Sequence, residues 1–478
     1  MIRLLIVIAG FAAMGWSFRR WREAVHVALV LVIFEGAIRK WFVPGAQDLF
    51  YFAKDVFLLG AYAGFLQSSA RRRSQVPTSP VLSALLVVGM FLGVLEIFNP
   101  NLPNLLVGIL GFKAYFFYVP LIWVLPAMYR TDQELAVALR RYLLLAIPVG
   151  ALAVAQFFSP AGSVLNTYAR TTGSIDDVSS IVTFGSSAYV RVTSTFSFIS
   201  GYTSYLLATT IFLLIWMANA RWRLRGNVLM YGTLGMTLLG MLMSGSRGPV
   251  LLLLGLFPFY WWLGILREQG GGSTFGRLLL GLSLLIAVLA WVGQDAFGAF
   301  YDRALGGAQD VSSRMITPLQ APFHVIGDAG AFGFGIGATH QTAAAVTPGL
   351  PPFIWLRGLL IEVESGRVML ELGIIGFVVT YLTRIYLIFF SFGQIFRLRT
   401  RFHRSLAMGS FLYILGSLPG GIVFEVTSGL YYWTFVGLVF LAMRLDREAV
   451  RMARAAQVAA PAPVPAAQPA AAWRARLE

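Results

Sequence analysis

The sequence predicts an all-α fold, a polytopic transmembrane bundle of about twelve to thirteen spans with one large extracytoplasmic loop between late spans. Three observations predict it. Of the 478 residues, 58% are hydrophobic and only 12% charged, whereas soluble chains carry roughly a quarter charged residues. Apolar runs long enough to cross a bilayer recur from end to end, and lipid leaves an unpaired backbone no solvent, so each run must be a helix. The basic residues collect in alternate loops, as they do in multi-pass proteins.

In order, the runs fall near 2–17, 24–42, 49–67, 79–98, 105–127, 142–160, 198–219, 228–245, 249–266, 278–294, 366–391, 405–424 and 428–444. Of 37 basic residues, 24 lie on one side of this arrangement, including Arg71-Arg72-Arg73, Arg140-Arg141 and the Arg397–Arg404 group. The positive-inside rule makes that side cytoplasmic, with the C-terminus there and the loop at 295–365 outside. Residues 1–454 form the membrane domain, and the Ala/Pro-rich 455–478 read as a disordered cytoplasmic tail. The net charge of +16 does not imply nucleic acid, because its arginines sit in short inter-helix loops and not on one soluble face. With no cysteine, disulfides and thiolate metal sites are excluded. The first apolar segment is followed by arginines and lacks a signal-peptide cleavage motif.

Charges inside apolar runs are costly and pair or line cavities. Glu35 and Arg39, four apart, share a helix face and face Lys54-Asp55 on the next span, the pattern of a structural ion-pair network. Lys113, several residues into its span, either snorkels to the outer interface or points into a cavity and meets phosphate. Arg384, near the inner end of its span, is expected to snorkel.

The loop at 295–365 concentrates polar residues outside the bilayer. It holds Tyr301-Asp302-Arg303, Ser312-Ser313-Arg314, the glycine-rich Gly333-Phe334-Gly335-Ile336-Gly337, His340, and Glu362-Val363-Glu364-Ser365-Gly366-Arg367. Arg191, Arg247, Arg303, Arg314 and Arg367 all fall on this outer side, where arginine is least expected. Arg247 lies in the tight turn Ser244-Gly245-Ser246-Arg247-Gly248-Pro249, where small residues let backbone N–H groups approach an anion. A guanidinium there can grip phosphate oxygens bidentately. Several such arginines at helix ends suit a lipid diphosphate held at the outer leaflet.

Three pieces of sequence carry a family likeness. They are Gly111-Phe112-Lys113-Ala114-Tyr115-Phe116-Phe117-Tyr118-Val119-Pro120; Arg191…Phe196 with Ser204-Tyr205 and the Ser246-Arg247-Gly248 turn; and Ser313-Arg314 with the 333–337 glycines and Glu371-Leu372-Gly373-Ile374-Ile375-Gly376. In this order around one outer loop, they resemble the O-antigen ligase and polymerase superfamily (WaaL-like and Wzy-like), integral membrane glycosyltransferases of the GT-C type. The ligases carry a histidine just before the Glu-x-Gly helix. Here Glu364 stands near that slot and the nearest histidine is His340, a departure that favours a polymerase.

The resemblance implies metal-independent, inverting transfer of a glycan from undecaprenyl diphosphate to an acceptor hydroxyl, with no cofactor. Arg191, Arg247 and Arg314, then Lys113, Arg303 and Arg367, would hold the diphosphate leaving group. Glu364, then Glu362 and His340, would take the hydroxyl proton. Against that role, Glu364 can simply be a solvated helix start paired to Arg367 at i,i+3. The expected product is O-antigen, capsule or exopolysaccharide, made at the bacterial inner membrane. The expected partners are the undecaprenyl-diphosphate-linked glycan, the bilayer, a flippase and a chain-length regulator. A ligase moving finished glycan to lipid A core or protein is the nearest alternative, and a non-enzymatic lipid transporter the more distant one.

Overall fold

A computed structural model describes residues 2–69, 79–160, 162–167, 183–184, 189–219, 224–266, 308–340 and 363–459. Apart from a two-residue antiparallel pair, Thr183–Phe184 with Tyr189–Val190, its regular structure is helical. Among the described residues, five helices are long and apolar enough to cross a membrane: Pro80–Ile97, Asp132–Phe157, Ile199–Asn219, Glu364–Arg397 and Val426–Ala455. A sixth crossing results if Leu105–Phe116 and Leu121–Met128, bent by 44°, form one broken span. Every predicted span among the described residues overlaps a helix, although several are shorter than a bilayer needs. The one predicted at 405–424 ends at Gly416, and the one at 366–391 is interrupted at Gly373. The predicted span at 278–294 lies outside the described residues.

The breaks follow from sequence. Pro120 lacks an N–H to donate and stands where the bent span changes direction, just before Leu121. The Trp21–Ala37 helix passes into a π-helical turn, Ile38–Phe42, which carries Arg39 and Lys40. Such widened turns cluster at functional sites. In the Glu364–Arg397 element, Gly373 takes φ +63°, ψ −170° and interrupts the helix. A hydrogen bond joins Arg384 to Glu364, twenty residues earlier. A straight helix would hold them about 30 Å apart, so the chain doubles back at Gly373.

The core runs along the Val426–Ala459 helix, where Tyr431, Phe435, Phe440 and Leu441 are buried. Phe435 stacks between Phe212 and Tyr413 at 4.7 and 4.3 Å. Leu121–Met128 and Arg401–Gly416 pack on either flank.

Two expectations change here. Part of the region read as loop is a 22-residue helix, Ala308–Ala329, packed on Glu364–Arg397. Its Ala321, Val325 and Ala329 are buried, so an apolar face at helical spacing outweighs Pro318 and Pro322. The last long helix continues to Ala459, five residues into the region expected to be disordered.

Candidate functional site

The site is built from helix ends that carry charge into the bundle. Lys54 Nζ lies 2.5 Å from Glu35 Oε2 and donates to Tyr51 O at 2.8 Å. Arg39 is 3.7 Å from the other Glu35 oxygen. Asp55 accepts from Tyr118 Oη at 2.7 Å and pairs with Lys113 Nζ at 2.5 Å. The expected ion-pair network between these spans is therefore present, and it extends to a third. Lys113 points into the protein and does not snorkel. The Tyr51 ring gathers three of these cations, with Arg39, Lys54 and Lys113 at 5.1, 4.7 and 5.2 Å from its centroid.

Arg39 and Lys40 reach from the π-helical turn to the segment after Arg191. Arg39 donates to Ser197 Oγ at 3.0 Å, and Lys40 donates to Thr193 Oγ1 at 3.1 Å and Ser194 O at 2.7 Å. Lys40 is buried with no carboxylate partner among the described residues. Gly36 makes this approach possible, since a Cβ there would stand 2.3 Å from Ser197 N. Ser194, at φ +50°, is the one described non-glycine residue with positive φ. Its N–H donates to Gln156 Oε1 and its Oγ to Val149 O, both at 2.7 Å, so a strained conformation is held by buried bonds. Arg191 donates to Ser246 Oγ at 3.0 Å, joining this segment to the turn that precedes the Arg247–Leu266 helix.

The second half of the site is the glycine turn. Gly333, Gly335 and Gly337 take φ of +75°, +99° and +90°, a region that only glycine enters cheaply. Phe334 N and Gly335 N donate to Leu370 O and Glu371 O at 2.8 and 3.0 Å. A Cβ on Gly111 would sit 2.4 Å from Gly337 N, so the first and third family-like pieces touch backbone to backbone. The turn delivers Thr339 to Glu371, whose Oε1 accepts from Thr339 N at 2.8 Å and Thr339 Oγ1 at 2.6 Å. Tyr115 Oη donates to the other carboxylate oxygen at 3.0 Å. Arg367 donates to Thr339 O at 2.6 Å and lies 3.5 Å above the Phe424 ring.

His340 and Lys113 line one cleft together with Tyr51, Phe52, Tyr118 and Val423. Its space is about 10 Å³, room for about one water, so a diphosphate enters only if the cleft widens. Burial, helped by the charges of Arg367 and Lys113, pushes the His340 pKa down to about 3, so its ring is neutral at neutral pH.

Glu364 differs from expectation. It is buried, not solvated, and it pairs with Arg384 at 2.6 Å, not with Arg367. Its second oxygen accepts from Val423 N at 2.9 Å. Arg384 is therefore an internal partner and not a snorkelling residue. Arg303 and Glu362 lie outside the described residues, as do the side chains of Arg247 and Arg314, whose backbones belong to described helices. Of the expected residues, Lys113, His340 and Arg367 thus come together, and Arg191 joins Lys40 through the 191–194 segment.

Sequence reasoning passed over Lys40, Ser194 and Glu425. Glu425 precedes the Val426–Ala459 helix and accepts from Ser200 Oγ at 2.6 Å. Burial pushes its pKa up, although the residue keeps part of its surface exposed, while bonds from Ser200 and Thr427 pull the other way. Its signal was a lone carboxylate between two apolar runs, at Val423-Phe424-Glu425-Val426. Consecutive Arg39-Lys40 at the end of an apolar run was the signal for Lys40.

No family model matches the chain, and no curated protein is significantly similar to it.

Proposed function

We propose that the chain is an inverting membrane glycosyltransferase that joins lipid-diphosphate-linked oligosaccharide repeat units into O-antigen, capsule or exopolysaccharide. In this reading it crosses the bacterial inner membrane about twelve to thirteen times, with residues 295–365 outside and the C-terminus cytoplasmic. One observation carries the reading: Lys40, buried beside Arg39 and the Arg191 segment, meets neutral oxygens and the Trp41 ring but no carboxylate among the described residues. A buried cation without a counter-charge is expensive and suits an anionic ligand.

The acceptor hydroxyl attacks the anomeric carbon, a C–O bond forms there with inversion, and the bond to the diphosphate breaks. Lys40, Arg39 and Arg191 would take the departing charge, with Arg247, Arg314, Lys113, Arg303 and Arg367 as further candidates. The hydroxyl proton goes to a base. Glu364 serves only if its pair with Arg384 opens, and His340 is too weakly basic at a pKa of about 3. Glu425 is the better candidate. Glu35, Asp55, Glu364 and Glu371 are buried, whereas Glu425 retains exposed surface, and its raised pKa brings it closer to the working pH.

The test is reconstitution in liposomes with a defined undecaprenyl-diphosphate repeat unit, without metal or nucleotide, read as a glycan ladder. Wild type yields a ladder, and Lys40→Met and Glu425→Gln lose it by a hundredfold or more while remaining monodisperse. A ladder that persists in Lys40→Met keeps the activity and removes the clamp. A single product formed only with lipid A core as acceptor moves the assignment to a ligase, and no product with either acceptor moves it to a transporter.

A further inference from the structure

At the arginine-rich end of the bundle, away from the cleft at Lys113, lies a cavity of about 520 Å³. It shares no lining residue with that cleft, and its volume falls in the range of roughly 300–1,000 Å³ typical of small-molecule sites. Its walls are apolar, with Leu125, Leu139, Phe212 and Leu438 among them. Val30 on its rim is 37% exposed, so the cavity has a flank on the helix face that a bilayer would cover.

The polar groups of the lining already answer one another. His26 Nδ1 is 2.8 Å from Arg22 O and so donates to it, which leaves Nε2 to accept from Tyr129 Oη at 3.0 Å. Tyr142 and Tyr431 share a hydrogen bond at 2.5 Å, and Thr434 donates to Leu430 O at 2.7 Å. Glu23 pairs with Arg20 at 3.9 Å. Arg141 is the one charged lining residue without a partner among the described residues. Apart from Arg141, a polar occupant would therefore find no unmatched partner in the walls, and an empty void would forfeit dispersion contacts on all sides.

We infer that this cavity binds the acyl chain of an anionic phospholipid from the surrounding bilayer, with the phosphate head on Arg141. The chain fills the apolar walls, and the guanidinium answers the phosphate at the mouth. The site is separate from the proposed glycosyl-transfer centre and does not depend on that reading.

The test uses the full-length protein in nanodiscs with phosphatidylglycerol carrying a photoreactive diazirine at the end of one acyl chain, and phosphatidylcholine carrying the same group. Phosphatidylglycerol should label peptides that contain Leu139, Leu145 and Leu438. Ala138→Trp, which fills the cavity, should cut that labelling at least tenfold with the melting temperature retained. Should that variant fail to fold, Val27→Trp obstructs the cavity from another helix. Arg141→Gln should lower labelling by phosphatidylglycerol several-fold and that by phosphatidylcholine, whose phosphate is offset by choline, by less. Equal labelling in wild type and the folded tryptophan variants, or equal labelling by the two lipids in wild type, overturns the inference.

Discussion

Gly333 and Gly373 meet backbone to backbone. A Cβ on Gly333 would stand 2.6 Å from Gly373 N, and one on Gly373 would stand 2.3 Å from Ala331 O. Both also take positive φ, +75° and +63°. The fold-back of the Glu364–Arg397 element therefore depends on two absent side chains, and it is this fold-back that lets Glu364 reach Arg384.

Gly373→Ala should consequently destabilise the protein through steric overlap as well as strain, by about 1–3 kcal/mol from the backbone conformation alone. A Cβ added at Gly393, in the same element, would meet nothing within 4 Å. Gly393→Ala should be neutral or slightly stabilising, because alanine is the better helix former. Thermal unfolding in detergent separates the two, and equal melting temperatures would remove the interlock from the account.

Glu371 supports the turn from below. It is fully buried and accepts from Thr339 N, Thr339 Oγ1 and Tyr115 Oη. Glu371→Ala strands these donors, each costing about 1–3 kcal/mol when buried and unmatched. Tyr115→Phe removes a single donor and should cost less. Melting temperatures should rank wild type, then Tyr115→Phe, then Glu371→Ala, and the reverse order of the two variants would contradict the assigned bonding.

The sequence disclosed the helices because crossing a bilayer demands long apolar runs, and Pro80–Ile97 or Ile199–Asn219 are hardly anything else. It disclosed less of the region at 295–365. There Ile316, Leu319, Phe323 and Ile326 lie on an exposed helix face, and Pro318 and Pro322 stand inside the helix, where proline is disfavoured. Partner choice was the least legible. Arg367 is the nearest cation to Glu364 in sequence, yet the carboxylate pairs with Arg384, because Gly373 reverses the chain between them. Arg191 reaches Ser246 across 55 residues, and no local spacing rule reports such a contact. The glycine-rich stretch at 333–337 was visible in the sequence, but not that Gly111 and Gly373 would be what it packs against.

The Glu35–Lys54 pair makes a double-mutant test of the buried network. Both side chains are buried, at 8% and 2% exposure. Lys54→Met leaves Glu35 with Arg39 at 3.7 Å as its remaining cation, and breaking a buried pair costs about 3–5 kcal/mol. Glu35→Gln combined with Lys54→Met should recover part of that loss, because the pair itself then carries no charge, although Arg39 loses its carboxylate partner. Additive effects in the cycle, read from thermal unfolding, would show that the two groups act independently.

His340 should make the fold sensitive to acid. Its pKa falls from 6.5 to about 3 on folding, chiefly by burial. Below pH 6.5 the unfolded chain takes up a proton that the folded chain refuses, so the His340 contribution to stability is full above that pH and is lost as pH falls toward 3. Between pH 6.5 and pH 5 the loss is about 2 kcal/mol, from 1.36 kcal/mol per pH unit for one proton. Replacing the ring with a side chain that does not titrate, as in His340→Gln, should flatten the pH dependence of unfolding over this window by about one proton. That change is read from slopes and not from absolute stability, so it survives whatever the substitution costs in packing. An unchanged slope in the variant would mean that the ring takes up its proton in the folded protein, and with it the neutral His340 beside Lys113 and Arg367 would be lost.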